Sequence, residues 1–312
     1  MKKIDLYSLK QRSGRIGVSV LRAVFLIGIG FYILYPIFMK LMAALMQEND
    51  IYDVTVSIVP KHFTLENFKL VFETLHYPKA FLNSLILSML VMLLQIASSI
   101  LVGYGFGKFD FPCKKLLFAL GIFTLVVPPQ ILVFPLYLNY VNLDFFGIFK
   151  ALTGSKLNLL NTYFPFAFSS AFCTGTQGMM FVFMFRQYFR GVPKEIEEAA
   201  RMDGAGEFKT FVRIMVPSCA SVIVCVGVLS FIWQWNDIFW TSHYLRGSDL
   251  LSVNLSTLIS TLTSKLGGEP NLAYRAILNS AGALLLMTPP VIAYMFIQKL
   301  FIQSVENSGI VG

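Results

Sequence analysis

The densest run of charged side chains lies between Pro193 and Pro217, in PKEIEEAARMDGAGEFKTFVRIMVP. Glu195, Glu197, Glu198 and Asp203 alternate there with Lys194, Arg201, Lys209 and Arg213. The chemistry this run offers is charge-assisted docking. The rest of the chain adds no reaction centre. His62, His76 and His243 are scattered, and no Ser/His/Asp set, HExxH or phosphate-binding loop occurs. Cys113, Cys173, Cys219 and Cys225 lack metal-ligand spacing and read as small hydrophobes. A second cluster, WQWNDIFW from Trp233 to Trp240, holds all three tryptophans beside Asn236 and Asp237. Aromatic faces next to an Asn/Asp pair suit a sugar ring and its hydroxyls at an outer mouth. The same aromatics suit an interfacial belt, and at this level both readings stand.

These residues sit in a chain that is 56% hydrophobic and 13% charged, with net charge +8. That composition fits an all-α polytopic membrane protein. Six apolar segments predict transmembrane helices, at about 23–46, 78–104, 116–140, 164–185, 218–238 and 275–301. Together they make one membrane domain, 23–303, between a basic tail, 1–22, and a short tail, 304–312. The first apolar run is longer than the roughly 7–15 residues of a secretory signal core, so it reads as a retained span. Pro128 and Pro129 fall inside the third span and should kink or break it, which makes them candidates for the translocation path. CTGTQG in the fourth span is rich in small and polar residues, as packed helix faces often are. With both termini cytosolic, sixteen of the 25 Lys and Arg lie on inner segments, as the positive-inside rule expects. No soluble basic domain is left to bind nucleic acid.

The run 193–217 then becomes a cytosolic insert, predicted as two short helices at an angle. Pro193 suits a first helical position, and the glutamates that follow suit the positive end of the helix dipole. Ile196, Ala199 and Ala200 form a small apolar face, and Gly204 can end the helix in the left-handed conformation. Phe208, Phe211, Val212 and Met215 repeat at helical spacing until Pro217 stops the second helix. The plain reading is an amphipathic loop on the membrane surface. A further observation bears on energy. Carriers coupled to protons or sodium keep ionisable groups at mid-membrane, and the predicted spans have none there: Lys40 and Asp237 lie near span ends. Such a transporter would need an external motor.

Glu198-Ala199-Ala200, three residues, Gly204, nine residues, then Ile214-Met215-Val216-Pro217 resembles the EAA loop of ATP-binding cassette importer permeases, with Val216 at the usual Leu position. Asn83-Ser84-Leu85, YGFGKFDFP from Tyr104, Arg186-Gln187-Tyr188-Phe189 and WNDIFW extend the resemblance to the smaller, six-span permease of the maltose-type carbohydrate importers. It covers nearly the whole chain, and the stretch 150–162 with TGSK departs from the compact loop of the family. The resemblance implies a type I ABC importer permease fold and a non-catalytic subunit. It implies as partners a second homologous permease, two ATPase subunits that carry the ATP and magnesium, and an extracytoplasmic solute-binding protein; this chain itself would bind no cofactor. Glu198, Ala199, Ala200, Asp203 and Gly204, with Ile214 and Pro217, would form the ATPase-coupling loop. Trp233, Asn236 and Asp237, with Pro128 and Pro129, would lie on the translocation path or outer mouth. The function expected is sugar import driven by a partner's ATP hydrolysis. Import of another solute class and a secondary carrier are the alternatives.

Overall fold

The structure, a computed structural model, describes residues 6–309 apart from 57, 145, 146, 148, 149, 152, 153 and 176. The outermost parts of both expected tails, including Lys2 and Lys3, lie outside these residues, as do parts of the 150–162 loop and of CTGTQG. Among the described residues there is no β-strand, only isolated bridges at Met46–Phe63 and Leu143–Leu157. The chain divides into two compact units: residues 1–74 with 258–285, and 75–257 with 286–312.

The first unit opens with α1, Leu6–Ala44, so the expected tail is helical from Leu6. Its apolar portion, Val18–Ala44, is long enough to span a bilayer. Side chains all around it are bare, among them Leu21, Ile27, Phe31 and Tyr32. A helix apolar on every face is stable only against lipid or other helices. Its end is capped from a distance: the buried Asn67 of α2, Glu66–Thr74, donates its Nδ2 to the carbonyl of the last residue, Ala44, at 2.9 Å and to that of Met46, just beyond the helix, at 2.8 Å. Between them, Asp50 accepts the His62 backbone N–H at 2.8 Å and faces its Nδ1 at 2.7 Å.

The second unit is built around α3, Tyr77–Lys108. Its buried positions Ala80, Ser84, Leu87, Val91, Gln95, Ser99 and Gly103 recur at three and four residues, the helical period, with Tyr104 buried beside the last. Then come α4, Lys114–Phe123, and α5, Pro129–Val141. The expected third span is therefore broken, with Pro128 and Pro129 opening α5, because proline starts a helix more readily than it continues one. The expected fourth span is also two helices, α6, Phe164–Ala171, and α7, Gly178–Gly191. The break lies in CTGTQG. Cys173 adopts φ +55°, and a Cβ on Gly178 would lie 2.3 Å from the Cys173 carbonyl oxygen. Next are α8, Lys194–Met202, and α9, Glu207–Thr210. A π-helical turn, Phe211–Met215, and a short helical turn, Val216–Ser218, lead to α10, Ala220–Trp235. The unit continues with α11, Phe239–Tyr244, and α12, Leu251–Ser256.

The remaining helices are α13, Leu258–Leu266, which packs on α2 in the first unit, and α14, Leu272–Gly309. The helix α14 runs unbroken through Pro289 and Pro290.

Among the described residues, three helices are long and apolar enough to cross a membrane: Val18–Ala44, Tyr77–Lys108 and Leu272–Lys299. A fourth candidate is the pair Glu207–Ser218 and Ala220–Trp235, bent by 73°. The segments expected as third and fourth spans consist of helices too short to cross alone.

Candidate functional site: a bent helix pair anchored to the core

The helix α8 carries glutamates in its first turn and Arg201 in its last, matching the helix dipole at both ends. It ends as a Schellman motif. The Ala205 N–H reaches the Ala200 carbonyl at 2.9 Å, and the Gly204 N–H reaches Arg201 at 3.0 Å. Gly204 has φ +77°, the left-handed conformation expected from the sequence. The chain then turns into α9, and Arg201 pairs with Glu207 across the turn at 2.7 Å. That pair is half exposed and contributes little.

Beyond α9 the helix widens. Pro217 has no N–H to offer Arg213, and its ring crowds that carbonyl. The preceding turn relaxes into a π-helix, in which the Val216 N–H bonds back to Phe211. Pro217 therefore does not stop this helix, as its position had led one to expect. It sits inside the following turn, and the break comes at Cys219.

The two faces of this element differ from the sequence-based expectation. Of the predicted apolar face, Ala200 alone is buried; Ile196 is 43% exposed and Ala199 is exposed too. The buried partner one turn from Ala200 is Glu197, whose Oε1 lies 3.1 Å from Lys108 Nζ. Lys108 also donates to the Val192 carbonyl at 2.8 Å. Both charged side chains are nearly enclosed. This ion pair fastens the last residue of α3 to α8, and no short-range spacing announces it. Outward from the element point Met202, Phe208 and Val212, with Phe208 77% exposed. Glu198 and Asp203 are exposed as well, and among the described residues Glu198 makes no ion pair.

Inward, the element enters the core. Met215 is fully buried with Ile100, Tyr104, Phe181, Phe185, Phe189, Cys219 and Val226, and Ile214 packs at the edge. The Tyr104 ring lies 4.8 Å from that of Phe211 and 5.3 Å from that of Phe189. One cluster thus joins the bent pair to α3, α7 and α10. Close packing of this kind transmits displacement instead of absorbing it. The helices α3 and α7 approach closely because Gly103 and Gly107 lie four apart on one face; a Cβ on Gly103 would lie 2.5 Å from the Phe185 Cβ.

The tryptophan cluster takes several roles. Trp235 is buried, and its Nε1 donates to the Leu286 carbonyl at 3.1 Å. Trp233 is 37% exposed and stacks on Phe181. Asp237 caps α11: it accepts the Thr241 N–H at 2.7 Å, the Thr241 hydroxyl at 2.5 Å and the Trp240 N–H at 3.3 Å. Asn236 is exposed and donates to the Ile232 carbonyl at 2.8 Å. Pro128 is exposed and Pro129 half-buried at the start of α5. A neighbouring anchor escaped the sequence reading. Asp249 pairs with Lys79 at 2.8 Å and faces His76 at 3.3 Å, and these hold its carboxyl below the usual range.

A chain of this build belongs to the helical membrane components, with bare apolar helices and a polar helix pair set apart from them. Residues 99–307 match the family described as binding-protein-dependent transport system inner membrane component, and the chain belongs to that family. It is 28% identical over 287 residues to the arabinooligosaccharides transport system permease protein AraQ of Halalkalibacterium halodurans, covering 91% of this chain and 93% of that one. It is 26% identical over 283 residues to the sn-glycerol-3-phosphate transport system permease protein UgpE of Escherichia coli, covering 88% and 92%. Among solved structures, a bacterial ABC transporter involved in the import of the acidic polysaccharide alginate matches with TM-score 0.63, at 21% identity, over 93% of this chain and 98% of that one. This likeness shows the shared fold.

Proposed function

We propose that this chain is the permease subunit of an ATP-driven importer for sugars. The bent pair α8–α9 is the surface that receives a partner ATPase, and the Met215–Tyr104–Phe185 cluster carries the ATPase's closure into the membrane helices. Alternating access follows as α3, α7 and α10 shift together. A second permease, two ATPase subunits holding ATP and magnesium, and an extracytoplasmic solute-binding protein complete the assembly. Six spans and cytosolic termini are part of this reading. So is an outer mouth near Trp233, Asn236 and Asp237, with Pro128 and Pro129 at a break in the path.

The observation that carries it is the helix pair itself. A polar element that leaves Met202 and Phe208 bare while burying Glu197 is built to be covered by another protein. The sugar class rests on the relatives, whose names specify arabinooligosaccharides and alginate. A phosphorylated polyol is the second reading, because the other relative's name specifies sn-glycerol-3-phosphate.

The test is gentle extraction of the chain from its native membrane, followed by mass spectrometry of what comes with it and of the ligand on any solute-binding protein. An ATPase and a second permease are expected, with a saccharide ligand. A phosphorylated polyol there would favour the second reading. A chain that comes out alone and still moves solute would overturn the importer proposal in favour of a secondary carrier.

A further inference from the structure

Six basic residues from two stretches, 108–115 and 186–194, converge in the second unit. Lys108 ends α3, Lys114 and Lys115 open α4, Arg186 and Arg190 lie late in α7, and Lys194 opens α8. All six line one cavity of about 470 Å³, and among the described residues the only carboxylate lining it is Asp110. Two of the cations have carboxylate partners, and Arg186 donates to the Gln187 side-chain carbonyl at 3.4 Å. Lys108 pairs with Glu197, and Lys114 lies 3.2 Å from Asp110 and donates to the Phe109 carbonyl at 2.7 Å. Among the described residues, Lys115, Arg186, Arg190 and Lys194 have no carboxylate at ion-pair distance. Arg186 lies over the Phe118 ring at 4.0 Å, and its Nε is buried without a hydrogen-bond partner.

Without a counter-charge this arrangement is costly. Like charges around one hollow repel, and a buried N–H without an acceptor forfeits its solvation. Two lysines also occupy the first turn of α4, where the helix dipole favours negative charge and no acidic residue stands. A phosphate answers all three, since arginine forks and lysine points both fit its oxygens. The positive-inside rule accounts for basic residues on one side of a membrane, but not for their gathering in one cavity. The apolar neighbour chooses the source. Leu116, Leu117, Leu120 and Phe123, each about half exposed or more, form one stripe along α4 that starts beside Lys115.

We propose that this cavity is a binding site for a phosphate-bearing anion, and that its occupant is the headgroup of an anionic phospholipid whose acyl chains lie along α4. The site stands apart from the transport reading: it needs only a membrane interface, whatever solute the assembly moves.

The test is native mass spectrometry of the intact chain released from micelles, titrated with phosphatidylglycerol or with phosphatidylcholine. Wild type is compared with Lys115→Gln/Arg190→Gln, both exposed positions, and with Lys209→Gln/Arg213→Gln, cations outside the cavity. Circular dichroism checks that each variant is folded. Wild type is expected to retain phosphatidylglycerol over phosphatidylcholine. The cavity variant should lose about thirtyfold in affinity, roughly fivefold per cation, and the control variant should lose little. Equal binding of the two lipids, or an equal loss in the control, overturns the proposal. If millimolar inorganic phosphate binds wild type but phosphatidylglycerol is not retained over phosphatidylcholine, the phosphate site stands and the lipid assignment falls.

Discussion

Gly204 shows how one residue sets the geometry of the bent helix pair. No atom lies within 4 Å of where its Cβ would be, so a side chain has room there. The obstacle is φ +77°, which costs an L-residue about 1–2 kcal/mol and a β-branched one most. Gly204→Val should therefore loosen the turn between α8 and α9 and uncouple ATP hydrolysis from transport, while Gly204→Asn, which tolerates this conformation, should keep most coupling. Parallel assays of ATPase and uptake in reconstituted vesicles measure it; full coupling in the valine variant would show that the turn is not needed. Glu198 acts differently, as an exposed carboxylate without an internal partner. Glu198→Lys should leave insertion and folding intact and abolish uptake, with the ATPase lost from the purified assembly. Asp50 is held by a different physics. Its hydrogen bonds from His62 depress its carboxyl below the usual range. A depressed acid contributes stability that is fully present above its unfolded value, near 4, and is lost progressively as pH falls from there through its lower folded value. The segment from Glu48 to His62 should therefore open to hydrogen exchange on acidification below about pH 4, and Asp50→Asn should remove most of that pH dependence at the price of a less stable segment at neutral pH.

At the scale of the element, the contact between α3 and α7 rests on two glycines. A side chain on Gly103 would collide with Phe185, and one on Gly107 would lie 2.9 Å from the Phe189 Cβ. Gly103→Val should separate the helices and destabilise the unit by about 1–3 kcal/mol, read as a lower melting temperature in detergent. Gly105, on the open side with nothing within 4 Å, is the control: Gly105→Ala should be neutral or slightly stabilising because alanine favours helix. The same elements explain why two expected spans are broken. Pro128 and Pro129 end one ladder of backbone bonds and start another. The Cys173–Gly178 turn does so without proline, through a left-handed residue and a glycine pressed against a carbonyl.

At the scale of the whole molecule, the bare surface of α1 and the exposed stripe of α4 require an apolar surrounding that the chain does not supply itself. The six-span reading makes a topological prediction. A cysteine introduced at Lys150 should react with a membrane-impermeant maleimide from outside whole cells, and one at Glu195 only after the membrane is opened. Labelling of both from one side would overturn the topology. Native Cys113 is exposed and should be replaced first.

What the sequence determined by itself was governed by short-range chemistry. The fall in charge outside 193–217 marked the long apolar helices Val18–Ala44, Tyr77–Lys108 and Leu272–Lys299, because lipid tolerates few polar groups. The spacing from Glu198 to Pro217 marked the bent pair, because the left-handed Gly204 and the capped turns are decided within a few residues. The tertiary structure decided what depends on distant partners. It buried Glu197 against Lys108, turned Ile196 outward, made Asp237 a helix cap, and gathered six cations from four helices into one cavity. Each of those outcomes is set by which helices pack together. That choice turns on Gly103 meeting Phe185, a complementarity of surfaces about 80 residues apart that no local pattern records.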